Sequence, residues 1–278
     1  MSRPYPITIV DVFAESKLAG NQLAIVRNAA DLTNDEMQAI ALETNYSETT
    51  FVLAESETRA TVRIFTPVRE LPFAGHPTVG TAWLLAKGKG KITLDLPVGP
   101  VDVEFTEGIG WMTPPEVQFK GSFAIPDAAQ LLGLEADDFS EQLPIELAEV
   151  GPKFLLCPVK DLAPLKRAKL NGELRSAYLA QGIGVQCVFV FTEEAYDDSA
   201  DIASRMFFES SGLREDPATG SANAAFAAYL RKHRGNVGSV VVDQGVEIRR
   251  PSRFYLEVDE VLRVGGKVES VIEGILTL

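Results

Sequence analysis

One series of features occurs twice in this chain and restricts the possible folds more than any other property of the sequence. Arg-Ile-Phe at 63–65 precedes an acidic loop, a turn containing Gly75 and a nearly all-apolar helical segment, and Arg-Met-Phe at 205–207 precedes the same order around Gly220. Internal repetition of this kind indicates two related halves. We therefore expect an α+β fold with two pseudo-twofold-related halves, whose buried helices both begin at one central cleft.

The chain length fits this division. A chain of 278 residues suits one large domain or two smaller ones, because domains commonly hold about 100–200 residues. The proline pair at 114–115 lies near the middle and is typical of a connection between domains. We predict an N-terminal domain of residues 1–115, completed by the C-terminal strand, and a C-terminal domain of residues 116–278.

Two helices have clear end signals. Thr33 and Glu36 have the spacing of a capping box, which predicts that a helix begins after Thr33. An alanine-rich segment at 218–233 predicts a second, long helix that ends at Gly235. His233, in the basic last turn of that helix, is interpreted as a solvated residue that complements the helix dipole.

The charge balance excludes two classes of partner. Lys and Arg number 26 and Asp and Glu number 39, which gives a net charge of −13. A nucleic-acid backbone or an anionic lipid surface would be repelled. Residues 1–13 have no apolar core of signal-peptide length, and no later stretch approaches the ~20 apolar residues of a membrane span. We expect a soluble cytoplasmic protein that binds neither nucleic acid nor membranes.

Metal and nucleotide cofactors are not expected. Cys157, Cys187, His76 and His233 are all the cysteines and histidines of the chain, and none has the spacing of a metal site. Glycine-rich phosphate loops of the Walker or dinucleotide type are absent from the sequence. The expectation is therefore a protein without a cofactor.

The two predicted helix starts are candidate anion sites. Unpaired N–H groups and the helix dipole favour a negative ligand at a helix N-terminus. Gly75 and Gly220 would let a ligand approach the backbone, and Ser221 would add a hydroxyl donor. The alternative is that these glycines only shape the turns into the helices, and the residue pattern alone leaves both interpretations open.

Three further polar residues are ambiguous by themselves. Glu48 lies between a predicted helix end and a strand, where a glutamate is usually a solvated charge. Asp216 suits a loop carboxylate or an N-cap, and His76 suits a turn residue packed at a helix start. Composition and spacing do not separate these interpretations from a catalytic one.

Longer motifs separate them. SETTFV at 47–52, LPFAGHPTVGTA at 71–82 and EDPATGSA at 215–222 resemble the three signature blocks of the PhzF-like proteins of phenazine biosynthesis, and so does the opening DVF at 11–13 followed by Gly20-Asn21. The resemblance spans nearly the whole chain in the family's order. On these motifs the chain is identified as a member of that family.

The resemblance implies a diaminopimelate epimerase-like fold, in which each half is a mixed β-sheet or barrel wrapped around a central helix. It also implies a homodimer and a small anionic substrate. By position, Glu48 matches the catalytic glutamate of the family. His76 and Asp216 match further catalytic residues, which would orient and polarise the substrate or relay the proton. The matches to substrate-binding positions are Ser47, Gly75, Gly220 and Ser221.

The same resemblance bears on the mechanism. The related epimerases use one cysteine thiol in each half as acid and base, and the matching turns here are predicted to hold Ala74 and Pro217. A single carboxyl group that removes and returns a proton suits an isomerisation better. We predict that Glu48 shifts a proton between carbons of a small unsaturated carboxylate, as in trans-2,3-dihydro-3-hydroxyanthranilate isomerase or a related reaction.

The sequence also leaves two alternative functions open and departs from the family pattern at two positions. The alternative functions are an amino-acid or hydroxy-acid epimerase or racemase, and a non-catalytic protein that binds a small ligand or a partner. Gln22 stands where the family commonly has proline after Asn21, and the polar triplet 209–211 begins with Glu209 where a proline is usual. These departures leave open a substrate that differs from the phenazine precursor while the chemistry stays the same.

Overall fold

The computed structural model describes residues 2–210 and 213–278. Ser211, the last residue of the polar triplet, lies outside the described residues. From the N-terminus the elements are β1 (Pro4–Val12), β2 (Asn21–Val26), α1 (Asn34–Thr44), β3 (Glu48–Glu55), β4 (Arg59–Phe65), β5 (Glu70–Leu71), α2 (Gly75–Ala86), β6 (Gly90–Leu96), β7 (Gly99–Thr106) and β8 (Ile109–Met112).

The chain continues with β9 (Gln118–Ser122), α3 (Ile125–Leu132), a 3₁₀ turn (Ala136–Asp138), β10 (Glu146–Glu149), β11 (Lys153–Pro158), α4 (Leu162–Arg167), α5 (Gly172–Ala180), β12 (Cys187–Thr192), β13 (Ile202–Ser210), β14 (Leu213–Asp216), α6 (Gly220–Arg234), β15 (Gly238–Gln244), β16 (Ser252–Val258), β17 (Leu262–Gly266) and β18 (Val268–Thr277). Two compact units result, Met1–Thr113 with Gly265–Leu278 and Pro114–Val264.

In the first unit a mixed sheet surrounds α2. Its strand order is β18-β1-β2-β3-β4-β6-β7-β8, and β5 pairs with β4. The pairs β2–β3 and β4–β6 are parallel, because α1 and α2 serve as their crossovers. Strands from both ends of the sheet contact α2. The first eight residues of this helix are all buried, as expected for a helix that is apolar nearly all round.

The second unit repeats the pairing pattern. The order β10-β11-β12-β13-β15-β16 has the pairing sequence antiparallel, parallel, antiparallel, parallel, antiparallel. The order β1-β2-β3-β4-β6-β7 of the first unit has the same sequence of pairings. The helix α6 follows β14 as α2 follows β5, and its Phe226 ring packs 4.6 Å from the ring of Phe191 on β12. The predicted α+β class and the repeated strand-and-helix pattern are confirmed.

The Arg-x-Phe segments build the same local structure in each unit. Arg63 on β4 makes a bidentate ion pair with Glu70 on β5, at 2.7 and 2.6 Å, and lies over the Phe65 ring. Arg205 on β13 does the same with Glu215 on β14, at 3.0 and 2.7 Å, and lies over the Phe207 ring. In both units the central helix begins five residues after the glutamate.

The sequence predicted two helix ends correctly but missed three of the helices. The capping box between Thr33 and Glu36 is present at the start of α1, and Gly235 is the C-cap of α6. The helices α3, α4 and α5 were not predicted. The interpretation of His233 as solvated was wrong, because its Nε2 lies 2.8 Å from a carboxylate oxygen of the buried Glu146. No helix of the described residues is both long and apolar enough to cross a membrane.

The two arginines provide a stability test with an internal control. Arg205 and Glu215 expose 9% and 8% of their side chains, and Arg205 also donates to three backbone carbonyls in and after α4. Arg63 and Glu70 expose 22% and 34%. Arg205→Met should lower the unfolding free energy by about 3 kcal/mol because it leaves a buried carboxylate unpaired, and Arg63→Met by about 1 kcal/mol. Urea denaturation measures both, and equal losses would contradict this account.

Candidate active site

Glu48 and His76 meet at the start of α2 in the first unit. Glu48 is the first residue of β3, and His76 is the second residue of α2. The carboxylate Oε2 of Glu48 lies 3.2 Å from Nδ1 of His76, and the side chains are 16% and 5% exposed. The structure therefore brings together two of the residues predicted for catalysis.

A second contact fixes the register of β3 against α2. Side chains alternate along a strand, so Thr50 faces the same side of β3 as Glu48. The Thr50 hydroxyl oxygen lies 2.9 Å from that of Thr81 on α2, and both residues are buried. Because the strand is held against the helix at this point, Glu48 is positioned beside the first turn of α2.

His76 is neutral in this position. Burial lowers the pKa of His76 to about 3, and a hydrogen bond to the backbone of Gln22 opposes this shift in part. The contact with Glu48 is therefore not an ion pair. A neutral imidazole beside a carboxyl group is an arrangement that can exchange or orient a proton. The Nε2 atom of His76 is buried and has no hydrogen-bond partner among the described residues.

The first turn of α2 carries no side-chain cap. Gly75 is its first residue, and the N-cap Ala74 makes no capping hydrogen bond with its side chain. Other helices of the described chain do have such caps, from Thr33 on α1, Asp161 on α4 and Asn171 on α5. The backbone N–H groups and the dipole at Gly75 therefore favour an anion. Ser47, partly buried, directly precedes β3.

The remaining predicted site residues lie in the second unit. Asp216 is the last residue of β14 and is 8% exposed, while Gly220 and Ser221 are the first two residues of α6. The N-cap of α6 is Thr219, whose side chain makes no capping hydrogen bond either. Both central helices thus begin without a side-chain cap, and each unit holds its own part of the predicted residue set.

The repeated Arg–Glu pair corrects one predicted match between the halves. Glu70 pairs with Phe65 across β4 and β5, and Glu215 pairs with Phe207 across β13 and β14. Counting forward from the two glutamates places Thr219, and not Pro217, at the position of Ala74. Each of these two residues is the N-cap of its central helix. Neither carries a thiol.

Sequence reasoning missed three residues near the predicted set. Gln22 contributes through its backbone, which no side-chain motif reveals. Thr219 hydrogen-bonds to the side chain of Asp216, and Gln244 hydrogen-bonds to its backbone carbonyl. Thr219 lies inside the EDPATGSA motif and could have been singled out as a hydroxyl between two predicted site residues. Gln244 lies 28 positions beyond Asp216 and carries no local signal.

Neither thiol is acidic enough to exchange protons at neutral pH. Cys157 lies on β11 and Cys187 on β12, and neither belongs to the turn before a central helix. Burial raises the pKa of Cys187 to about 12 and that of Cys157 further, so both are protonated at neutral pH. Among the described residues no group of three or more His, Cys, Asp or Glu side chains is arranged to hold a metal ion.

Comparison with known proteins assigns the family. The PhzC-PhzF family, described as phenazine biosynthesis-like protein, matches residues 10–274. The chain belongs to this family. A solved structure of a Bacillus anthracis phenazine biosynthesis protein of the PhzF family superimposes with a TM-score of 0.89 at 28% identity, covering 99% of this chain and all of that one.

Relatives of this PhzF-family chain are isomerases. An uncharacterised isomerase of Pasteurella multocida is 36% identical, covering 98% of this chain and 93% of the relative. A trans-2,3-dihydro-3-hydroxyanthranilate isomerase of Pseudomonas aeruginosa is 34% identical, covering 90% and 89%. A hydroxyproline epimerase from Agrobacterium vitis, at 12% identity and a TM-score of 0.64, shares the fold. The predicted family, the epimerase-like fold and the assignment as an isomerase are confirmed.

The buried neutral His76 should make this PhzF-family protein sensitive to acid. The unfolded state takes up a proton near the ordinary histidine pKa of 6.5 and the folded state only near 3, so stability is complete above pH 6.5 and is lost as pH falls toward 3. Between pH 7 and 5 the wild type should lose about 2 kcal/mol more unfolding free energy than His76→Gln, at about 1.36 kcal/mol per pH unit. Urea denaturation at both pH values measures this, and equal losses would show that His76 is protonated in the folded state.

Proposed function

We propose that Glu48 is the general acid and base of an isomerisation that moves a proton between carbons of a small unsaturated carboxylate. The observation that supports this most strongly is the contact of the Glu48 carboxylate with a buried, neutral His76. A carboxyl group at a helix start can remove a proton from carbon while the backbone N–H groups there stabilise the negative charge that develops.

In this mechanism the proton leaves one carbon to the Glu48 carboxylate and returns from the Glu48 carboxylic acid to another carbon. The electron pair of the broken C–H bond moves into the unsaturated system, so the double bond shifts and the atoms balance. His76 would orient Glu48 and the substrate. Asp216, with Ser47, Gly75, Gly220 and Ser221, would bind the substrate.

For the substrate we propose trans-2,3-dihydro-3-hydroxyanthranilate or a closely related acid. The Pseudomonas aeruginosa relative carries that name at 34% identity. Gln22 and Glu209 stand where the family commonly has proline, which favours a related substrate over an identical one. A place in phenazine biosynthesis belongs to the same proposal.

An epimerase or racemase mechanism is the less favoured alternative. It would need an acid and a base on opposite faces of one carbon, and the resemblance assigns those roles to one thiol in each half. The two equivalent N-cap positions hold Ala74 and Thr219. Thr219 has an ordinary hydroxyl, which is a far weaker acid than a thiol, and Ala74 has no titratable group.

Solvent-isotope labelling tests the proposed roles. In D₂O, trans-2,3-dihydro-3-hydroxyanthranilate should acquire carbon-bound deuterium at the shifted double-bond position, detected by NMR. Glu48→Gln should slow this exchange at least about 100-fold, because the proton carrier is removed. Glu55→Gln, at the other end of β3 in an ion pair with Arg27, should remain near the wild-type rate.

The outcomes separate the candidate functions. Deuterium at the α-carbon of an amino acid, with inversion of that carbon's configuration, would favour epimerisation. If no compound in a panel of unsaturated acids and amino acids acquired deuterium, a binding protein would be favoured. A Glu48→Gln variant that keeps full activity would refute the assignment of the base.

We also propose that the protein acts as a homodimer in the cytoplasm. The family resemblance supports the dimer, and the net charge of −13 favours a small ligand over a nucleic acid. Light scattering coupled to gel filtration should give twice the chain mass of 30.2 kDa. A mass equal to one chain at micromolar concentration would contradict the dimer.

A further inference from the structure

Three polar side chains form a hydrogen-bonded chain that ends on Asp216 in the second unit. The Thr219 hydroxyl donates to Oδ2 of Asp216 at 2.5 Å. Nε2 of Gln244 donates to the Thr219 hydroxyl oxygen at 3.1 Å and to the backbone carbonyl of Asp216 at 2.8 Å. Nδ2 of Asn223 donates to Oε1 of Gln244 at 3.2 Å. Gln244 and Asn223 are fully buried.

The orientation of Gln244 is fixed by its neighbours. Its nitrogen faces the carbonyl of Asp216, and its oxygen faces the backbone N–H of Thr219 at 3.4 Å and Nδ2 of Asn223. A reversed amide would oppose oxygen to oxygen at the Asp216 carbonyl and nitrogen to N–H at Thr219. The end of Gln244 that reaches the Thr219 hydroxyl is therefore the donor end.

The direction of the last hydrogen bond follows. A hydroxyl has a single hydrogen, and its oxygen already accepts from Gln244, so that hydrogen is directed to Oδ2 of Asp216. A carboxyl oxygen that accepts a short hydrogen bond is stabilised in its ionised form. Because the chain begins at buried amides of fixed orientation, Thr219 could accept from a protonated Asp216 only by turning its hydrogen away from Oδ2 and using its second lone pair.

This chain distinguishes the two units. Thr219 occupies the N-cap of α6, yet its hydroxyl does not cap the helix. The equivalent position in the first unit is Ala74, and the position of Asp216 corresponds to Leu71. The duplicated framework thus holds a carboxylate with a dedicated hydroxyl donor in one unit only, while the other unit holds Glu48 beside a neutral imidazole.

We propose that Thr219 and Gln244 are positioning residues that keep Asp216 ionised, so that Asp216 accepts a hydrogen bond from the substrate and does not carry the transferred proton. This inference rests on the proposed function, which gives Asp216 its place in substrate binding. It restricts the substrate to acids that carry a hydroxyl or amino donor, and it leaves Glu48 as the proton carrier.

The ionisation of Asp216 can be measured without any substrate. In full-length protein labelled with [4-¹³C]aspartate, the Asp216 signal is assigned by its loss in Asp216→Asn and followed with pH. Thr219→Val, which keeps the side-chain shape, should raise the midpoint of this titration by about one pH unit or more. Thr219→Ser should restore the wild-type midpoint.

Other charged groups and a control complete this experiment. The thiol of Cys187 on β12 interacts electrostatically with Asp216 and with Arg175 on α5, and it stays neutral over the titration because its pKa is about 12. Thr192→Val removes a different buried threonine hydroxyl of the second unit, which accepts from the backbone N–H of Glu194, and should leave the midpoint unchanged. An unchanged midpoint in Thr219→Val would overturn the proposal.

A second variant, Gln244→Met, tests the same proposal if Thr219→Val does not fold. Gln244→Met removes the donor that directs the Thr219 hydroxyl, and it should raise the Asp216 midpoint and lower kcat about tenfold or more in the D₂O exchange assay with trans-2,3-dihydro-3-hydroxyanthranilate. A wild-type midpoint in a folded Gln244→Met variant would overturn the proposal.

The two proposals fail separately. If Asp216→Asn exchanges as fast as the wild type, the proposed role of Asp216 in function is wrong, and the ¹³C titration still decides whether Thr219 and Gln244 hold the carboxylate ionised. If the titration is unaffected while Asp216→Asn is inactive, the role of Thr219 and Gln244 is wrong and the proposed function stands.

Discussion

Burial of the first turn of α2 is the constraint on which the chemistry of the first unit depends. A mixed sheet surrounds this helix, and its first eight residues are withdrawn from water. Desolvation lowers the pKa of His76 to about 3, which converts an apparent salt bridge with Glu48 into a contact between a carboxyl group and a neutral ring. The same burial concentrates the effect of the uncapped helix N-terminus, because screening of its dipole by water is reduced.

The position of each central helix depends in turn on a repeated electrostatic pair. In both units an arginine of one strand binds a glutamate of the next with two hydrogen bonds, and the helix begins five residues later. The pair fixes where the chain leaves the sheet. The more deeply buried copy is Arg205–Glu215, whose arginine also binds carbonyls in and after α4. The arginine of the Arg-x-Phe motif thus has a structural role. Predicted site residues lie at the start of the helix that follows the turn.

The duplication is complete in the order of strand pairings and unequal in chemistry. The same order of parallel and antiparallel pairings recurs, yet Glu48 and His76 have no equivalent pair in the second unit, where Ser221 takes the position of His76. The second unit instead has Asp216 with its hydrogen-bonded partners Thr219 and Gln244. This division fits the proposed isomerase with one proton carrier, whereas a racemase would need an acid and a base on opposite faces of one carbon.

The sequence by itself determined the α+β class, the repeat, the capped start of α1, the end of α6 and the family, because each has a local signal: a period, a capping box, a glycine or a contiguous motif. It also singled out Glu48 and His76, although only as separate residues. Only the tertiary structure decided the properties that depend on residues far apart in the sequence. The pKa of His76 depends on the strands that exclude water from it, the equivalence of Ala74 with Thr219 depends on strand register, and the contact of Gln244 with Asp216 joins residues 28 positions apart. His233 was misjudged for the same reason, since its partner Glu146 lies 87 residues away in the chain and only folding brings the two side chains together.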